Sequence, residues 1–256
     1  MQGGLLSRRA ARHIPPTMTV PPSDAPAAQD IAAFLRLWAR AGAIVAALAV
    51  VLILVIDRPL ALWIKHAIPP AWERAFSDIS RLGDATPHIA AAALALALCL
   101  WMARRRPMDG AIWRRRMGFA GFALAAMCVN GALVNTLKFV FGRQRPRDLF
   151  ADGAYGFAPF DIQFSMNSFP SGHSQAIWTA ATVLSLLLPR WRVPLFALAT
   201  LVSAGRALST KHYVSDVLVG SFLGLVMTLV IWRYWLARGW ALPAGSSLAD
   251  DGRASS

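Results

Sequence analysis

Residues 117–137 read MGFAGFALAAMCVNGALVNTL, an unbroken run without a charged side chain, set between Arg114-Arg115-Arg116 and Lys138. A bilayer core takes roughly 20 residues of helix, so this run is long enough to cross one. Further uncharged runs cover residues 41–56, 89–103, 174–188, 193–205 and 217–232. Some are short, and they reach spanning length once flanking Trp, Pro and snorkelling Arg are counted. Hydrophobic residues make up 56% of the chain and charged residues 15%, where a soluble domain carries about a quarter. The pattern predicts an all-α fold, a polytopic membrane bundle of six transmembrane helices.

A net charge of +13 raises nucleic acid as a partner, but the distribution argues against it. Basic residues sit in short segments beside the apolar runs: Arg8, Arg9, Arg12, Arg36 and Arg40 before the first, Arg104 to Arg106 and Arg114 to Arg116 after the second, Arg190 and Arg192 after the fourth, and Arg233 and Arg238 after the sixth. They alternate with the outer loops, as the positive-inside rule requires, which predicts cytoplasmic termini. The segment 57–87 instead balances Arg58, Lys65, Arg74 and Arg81 against Asp57, Glu73, Asp78 and Asp84. Within it Trp72, Phe76 and Ile79 recur at helical spacing. That suits a short amphipathic helix at the interface, or a helix packed on the outer loops. Residues 1–29, rich in Pro, lack the apolar core of a signal peptide and read as a disordered cytoplasmic tail, with Met18 an alternative start. Residues 241–256 read as a second disordered tail, which leaves 30–240 as the membrane domain. Cys99 and Cys128 lie inside apolar runs and are expected to pack as small hydrophobes, without a disulfide or a metal.

Three polar clusters fall at helix ends on the predicted outer side, where polar residues are functional candidates. The first is Lys138-Phe-Val-Phe-Gly-Arg-Gln-Arg145-Pro146. Cations seven residues apart share a face if the segment stays helical, and such a pair suits a phosphoryl group. Interfacial anchoring is the competing account, and Arg143 and Arg147 fit it. The second is Phe169-Pro170-Ser171-Gly172-His173-Ser174. Ser171 can cap a helix, Gly172 lets a ligand approach the backbone, and the helix N-terminus attracts an anion beside His173. The third is Arg206-Ala-Leu-Ser-Thr-Lys-His212-Tyr-Val-Ser-Asp216. There a carboxylate at i+4 can fix the tautomer of a nucleophilic imidazole. Asp216 equally suits a helix cap.

Together these clusters resemble the three signature motifs of the type 2 phosphatidic acid phosphatase superfamily: Lys-x6-Arg-Pro, Pro-Ser-Gly-His and Ser-Arg-x5-His-x3-Asp. The resemblance covers residues 82–236, in the right order, with one departure: Gly205 stands where the third motif usually has Ser. It implies a membrane enzyme in which His212 attacks phosphorus, Asp216 orients His212, and His173 protonates the leaving oxygen and then activates water. Lys138, Arg145 and Arg206, with Ser171 and the Gly172 amide, would hold the phosphate. No cofactor and no metal are expected, since Asp148, Asp152 and Asp161 are scattered along one loop. A site at the outer boundary of a bacterial inner membrane, facing the periplasm, suits a lipid phosphate. Candidates are phosphatidic acid, phosphatidylglycerol phosphate, a polyprenyl pyrophosphate or a lipid A type phosphate. The loop after Arg147, with Phe150, Tyr155, Phe157, Phe160 and Phe164, either forms the mouth of the site or simply packs on the membrane. The competing functions are a lipid phosphotransferase and a non-enzymatic lipid transporter.

Overall fold

The computed structural model describes residues 24–161 and 166–240. The two expected tails lie outside them, apart from the residues after Asp24, where the first helix begins. Nine α-helices and no β-strand occur among the described residues. The helix α1 (Asp24–Val51), a π-helical turn (Leu52–Ile56) and α2 (Asp57–Ala67) form one rod. Ile68, ahead of Pro69 and Pro70, turns extended, because a residue before proline is driven out of the helical region. Next come α3 (Pro70–Ser80), a 3-10 turn (Arg81–Gly83), α4 (Ala85–Arg105), α5 (Gly110–Phe141) and α6 (Pro146–Asp152). The last three are α7 (Gly172–Leu187), α8 (Arg192–Leu208) and α9 (Val214–Ala237).

Among the described residues, four helical stretches are long and apolar enough to cross a membrane: Ile31–Ala67, Pro70–Arg105, Ile112–Phe141 and Val214–Ala237. The helices α7 and α8, of 16 and 17 residues, are shorter. Ile44, Leu54 and Leu94 are each at least 60% exposed. That surface would be costly in water but is the ordinary outer face of a bundle in lipid. The chain is a multi-pass membrane protein. Both cysteines are free.

Lipid tails are as apolar as the helices, so helices associate in a bilayer through close packing and hydrogen bonds. Both are present at the centre. Asn130 of α5 donates from Nδ2 to Thr179 Oγ1 of α7 and Thr228 Oγ1 of α9, each at 3.0 Å. All three side chains are buried. A Cβ on Gly220 of α9 would lie 2.4 Å from the Ser171 carbonyl oxygen, so α9 runs backbone-close beside the start of α7. The helix α3 packs against α8, with Phe76 and Ile79 half-buried and Trp72 exposed. Its apolar stripe thus meets protein along part of its length and leaves Trp72 exposed.

The starts of α4, α7 and α9 meet the ends of α5 and α8 at one end of the bundle. There Arg143 is 1% exposed. Its Nη2 donates to Asp57 Oδ2 at 2.9 Å, and its Nη1 to Asp216 Oδ1 at 2.6 Å and Ser215 Oγ at 2.7 Å. The guanidinium stacks over Tyr213, 4.2 Å from the ring centre. Tyr155 accepts from Nη2 at 3.0 Å and donates to the Ile53 carbonyl in the π-helical turn. Asp57 also accepts from the Ser215 amide and hydroxyl. Arg143 is therefore no interfacial anchor. It pins the first rod, the link after α5 and the start of α9 to one another. Arg147, over half exposed and paired with Asp148, does lie at the surface.

Removing one partner of a buried ion pair leaves an uncompensated charge, at a cost of about 3–5 kcal/mol. Arg143→Met should lower the melting temperature in detergent sharply or prevent recovery of folded protein, while Arg147→Met should leave melting nearly unchanged. A thermal melt of the two variants checks this.

Candidate active site

The helix α5 stops at Phe141 because Gly142 takes a left-handed conformation, φ 56°. A Cβ there would lie 1.8 Å from the Ala158 carbonyl oxygen, so only glycine fits. Lys138 is thus in the last turn of α5, but Arg145 is the N-cap of α6. The two cations do not share a helical face, as the spacing suggested. Asn167 joins them instead: Lys138 Nζ donates to its backbone carbonyl at 2.7 Å, and Arg145 Nε to its side-chain Oδ1 at 3.0 Å. Sequence reading passed over Asn167, whose only signal was an amide three residues ahead of the Pro170-Ser171-Gly172 helix start.

At that start Ser171 caps α7. Its Oγ accepts from the Ser174 amide at 3.4 Å and from the Ser174 hydroxyl at 3.0 Å, and its own N–H donates to the Asp216 carbonyl at 3.0 Å. The second and third motifs are therefore tied through backbone. Gly172 faces Lys138: a Cβ on it would lie 3.7 Å from Lys138 Cε. His173 follows in the first turn.

Arg206, 8% exposed, ends α8, and its carbonyl accepts from both the Lys211 and His212 amides, which folds the chain back toward α9. Nη1 of Arg206 donates to Ser80 Oγ at 3.2 Å, while its buried Nε has no partner. A Cβ on Gly205 would lie 2.9 Å from the Phe76 carbonyl oxygen, so the missing hydroxyl of the third motif is matched by a close approach of α3.

His212 is 3% exposed and precedes α9, whose N-cap is Tyr213. Its Nδ1 is 3.5 Å from Asp216 Oδ2, an ion-pair distance rather than a short hydrogen bond. Asp216 is fully buried and accepts from Arg143, from the Ser168 hydroxyl at 2.6 Å and from the Tyr213 amide at 2.9 Å. It is thus both the helix cap and the partner of His212. Burial pushes His212 down to about 3, against the pull of Asp216 and with the help of the Lys138 and Arg206 charges. At neutral pH its imidazole is uncharged and can act as a nucleophile.

All three predicted clusters converge, since Lys138 feels the charges of Arg145, Arg206 and Asp216. The structure adds Asp57, Ser80, Asp84, Asn167 and Ser168, from segments the motif spacing does not mark, and Arg143, a position inside the first motif that the motif leaves unspecified. Of the aromatic loop, Tyr155 belongs to the Arg143 cluster, Phe157 and Phe160 are exposed, and Phe164 lies outside the described residues. Among the described residues no three His, Cys, Asp or Glu side chains form a set able to hold a metal.

Residues 119–240 match the family model described as the PAP2 superfamily. Over 101 residues the chain is 38% identical to the lipid A 1-phosphatase of Rhizobium johnstonii, covering 40% of this chain and 41% of the relative. A Rhizobium etli protein of the same name is 35% identical over 103 residues, 40% of this chain and 44% of its own. The chain thus aligns with less than half the length of these curated relatives. Two solved membrane proteins are also similar. The crystal structure of Aquifex aeolicus LpxE gives a TM-score of 0.47 at 24% identity, covering 70% of this chain and 96% of that one. A PAP2 type phosphatidylglycerolphosphate phosphatase from Bacillus subtilis gives 0.47 at 21% identity, covering 77% and 94%. All three motifs fall within residues 119–240, the portion of the chain that matches the PAP2 superfamily model.

Proposed function

We propose that this chain is a membrane lipid phosphatase that works through a phosphohistidine on His212, without a metal. The observation that carries this is the meeting of a neutral, buried His212, paired with Asp216, and the cations Lys138, Arg145 and Arg206 at one end of the bundle. Phosphoryl transfer needs mainly in-line positioning and charge stabilisation. Three cations and the first amides of α7 supply the charge. The unpartnered Arg206 Nε is a buried donor for a phosphate oxygen. Ser171 only accepts in its hydroxyl contacts, so its own proton remains to donate.

In this reading His212 Nδ1–H faces Asp216, and the Nε2 lone pair attacks phosphorus as the bond to the leaving oxygen breaks. His173 gives that oxygen its proton. Water then attacks the phosphohistidine, His173 takes the water proton, and phosphate leaves with His212 regenerated. The relatives named lipid A 1-phosphatase make the 1-phosphate of a lipid A type the lead substrate. Phosphatidic acid, phosphatidylglycerol phosphate and polyprenyl pyrophosphates follow. We further propose that α7 and α8 complete six spans within a membrane domain of residues 30–240, with both termini cytoplasmic and the site facing the periplasm across a bacterial inner membrane. Supporting this, Arg104 and Arg105 close α4, Arg114 to Arg116 lie early in α5, and Arg233 is near the end of α9. All are remote from the site, as cytoplasmic anchors are.

Purified protein should release phosphate from lipid A 1-phosphate or another lipid of the panel with EDTA present, and His212→Ala should lower turnover by at least about 1,000-fold while the protein still elutes as folded. The loss is that of a residue acting in the covalent step. Release that needs added metal, or that survives His212→Ala, would overturn the mechanism. Transfer to an added alcohol in place of water would mark a phosphotransferase.

A pH dependence of stability follows as well. Folded His212 stays neutral down to about pH 3, whereas its unfolded counterpart takes a proton near 6.5. The unfolded chain then binds more protons, so stability should fall as pH drops from 6.5 toward 3. His212→Gln should flatten part of that slope in thermal melts run from pH 7 to pH 4.

A further inference from the structure

A second histidine–carboxylate pair sits at the site, its carboxylate outside the three motifs. Asp84 Oδ1 lies 2.6 Å from His173 Nε2. Asp84 is the N-cap residue of α4, where an aspartate ordinarily accepts from the first free amides of its own helix. It makes no such side-chain bond. Its carboxylate is turned to the imidazole instead.

The segment leading to Asp84 is built against the site. Ser80, fully buried, takes Arg206 Nη1 on its hydroxyl and donates to the Ser77 carbonyl at 2.7 Å. A Cβ on Gly83 would lie 2.7 Å from the His173 carbonyl oxygen and 3.0 Å from His173 Cβ, so a side chain there would push Asp84 away. Residues 80–84 therefore touch both Arg206 and His173.

Resting on the reading of His173 as the proton donor, we propose that Asp84 is the positioning residue for His173. Its carboxylate holds Nε2–H and favours the protonated ring, so that Nδ1 gives the proton to the leaving oxygen and later takes one from water. The charge balance calls for such a partner. Burial and the cations Arg206 and Lys138 all oppose a proton on His173, and Asp84 is the carboxylate that favours it. His173 and His212 thus each face one carboxylate that favours a proton on the ring.

The test is Asp84→Asn in the full chain in detergent, with Asp84→Glu as the conservative variant. On the best lipid phosphate of the panel, Asp84→Asn should lower kcat by about 10- to 100-fold, in the range of a weakened general acid, with KM changed less than about threefold. Activity is lost as pH rises and His173 gives up its proton. This alkaline limb should therefore move to lower pH by about one unit, the effect of removing a neighbouring opposite charge. Asp84→Glu should restore much of both. On 4-nitrophenyl phosphate, whose leaving group needs no proton, the loss in kcat should be small. An unmoved alkaline limb, or equal losses on both substrates, would overturn the proposal.

The histidine ring resonances supply a reading that needs no turnover. The His173 signal, assigned by its loss in His173→Gln, should titrate at lower pH in Asp84→Asn than in wild type. An unchanged midpoint would reject the pairing even in a protein that released no phosphate. Activity surviving in His212→Ala would reject the nucleophile without bearing on Asp84.

Discussion

A guanidinium buried at the end of a membrane bundle must be enclosed by its own counter-charges, because neither lipid nor protein interior solvates it. Arg143 has Asp57 and Asp216 as those counter-charges, and much of the site's geometry follows. Asp57 comes from the first rod, so that rod must dock beside α9. Tyr155 fills the space beside the cation, and the π-helical turn at Leu52–Ile56 leaves the Ile53 carbonyl available to it. Asp216, fixed by Arg143, Ser168 and the Tyr213 amide, has little freedom left. The carboxylate facing His212 is therefore held by three segments of the chain rather than by its own helix alone.

The cluster also sets the electrostatics of what lies in front of it. One arginine between two carboxylates leaves one negative charge in excess, buried behind His212. Lys138, Arg145 and Arg206 lie on the other side. The imidazole is kept neutral chiefly by burial, with Lys138 and Arg206 helping, yet has a carboxylate at hand when it acquires charge. That is a workable setting for the proposed nucleophile, which would be a free base first and a positively charged phosphoramidate afterwards.

The sequence carried the local part of this design. Apolar runs marked the helices, Ser171 was legible as a cap, and the spacing of His212 and Asp216 announced their pairing. It did not carry what depends on distant segments. Arg143 and Arg145 are two residues apart in the same basic stretch, and composition cannot tell which one enters the protein interior. Lys138 and Arg145 were read onto one helical face because seven residues make two turns. A left-handed glycine at 142 ends that helix first, and Asn167 restores the association by another route. Asp57, Ser80 and Asp84 looked like ordinary charge and polarity in an outer loop. Only the docking of the first rod beside α9, and of α3 and α4 on α7 and α8, turns them into parts of the site.

Those three residues precede residue 119, where the family match begins. The site is therefore divided between two portions of the chain. In the proposed mechanism one holds the groups that meet the phosphate, and the other, in the first third of the protein, holds groups that tune them. The second portion is free to change while every signature residue stays the same. Proteins with identical signatures can thus differ in working pH and in the leaving groups they accept, and the difference would be written in the stretch between the first rod and α4.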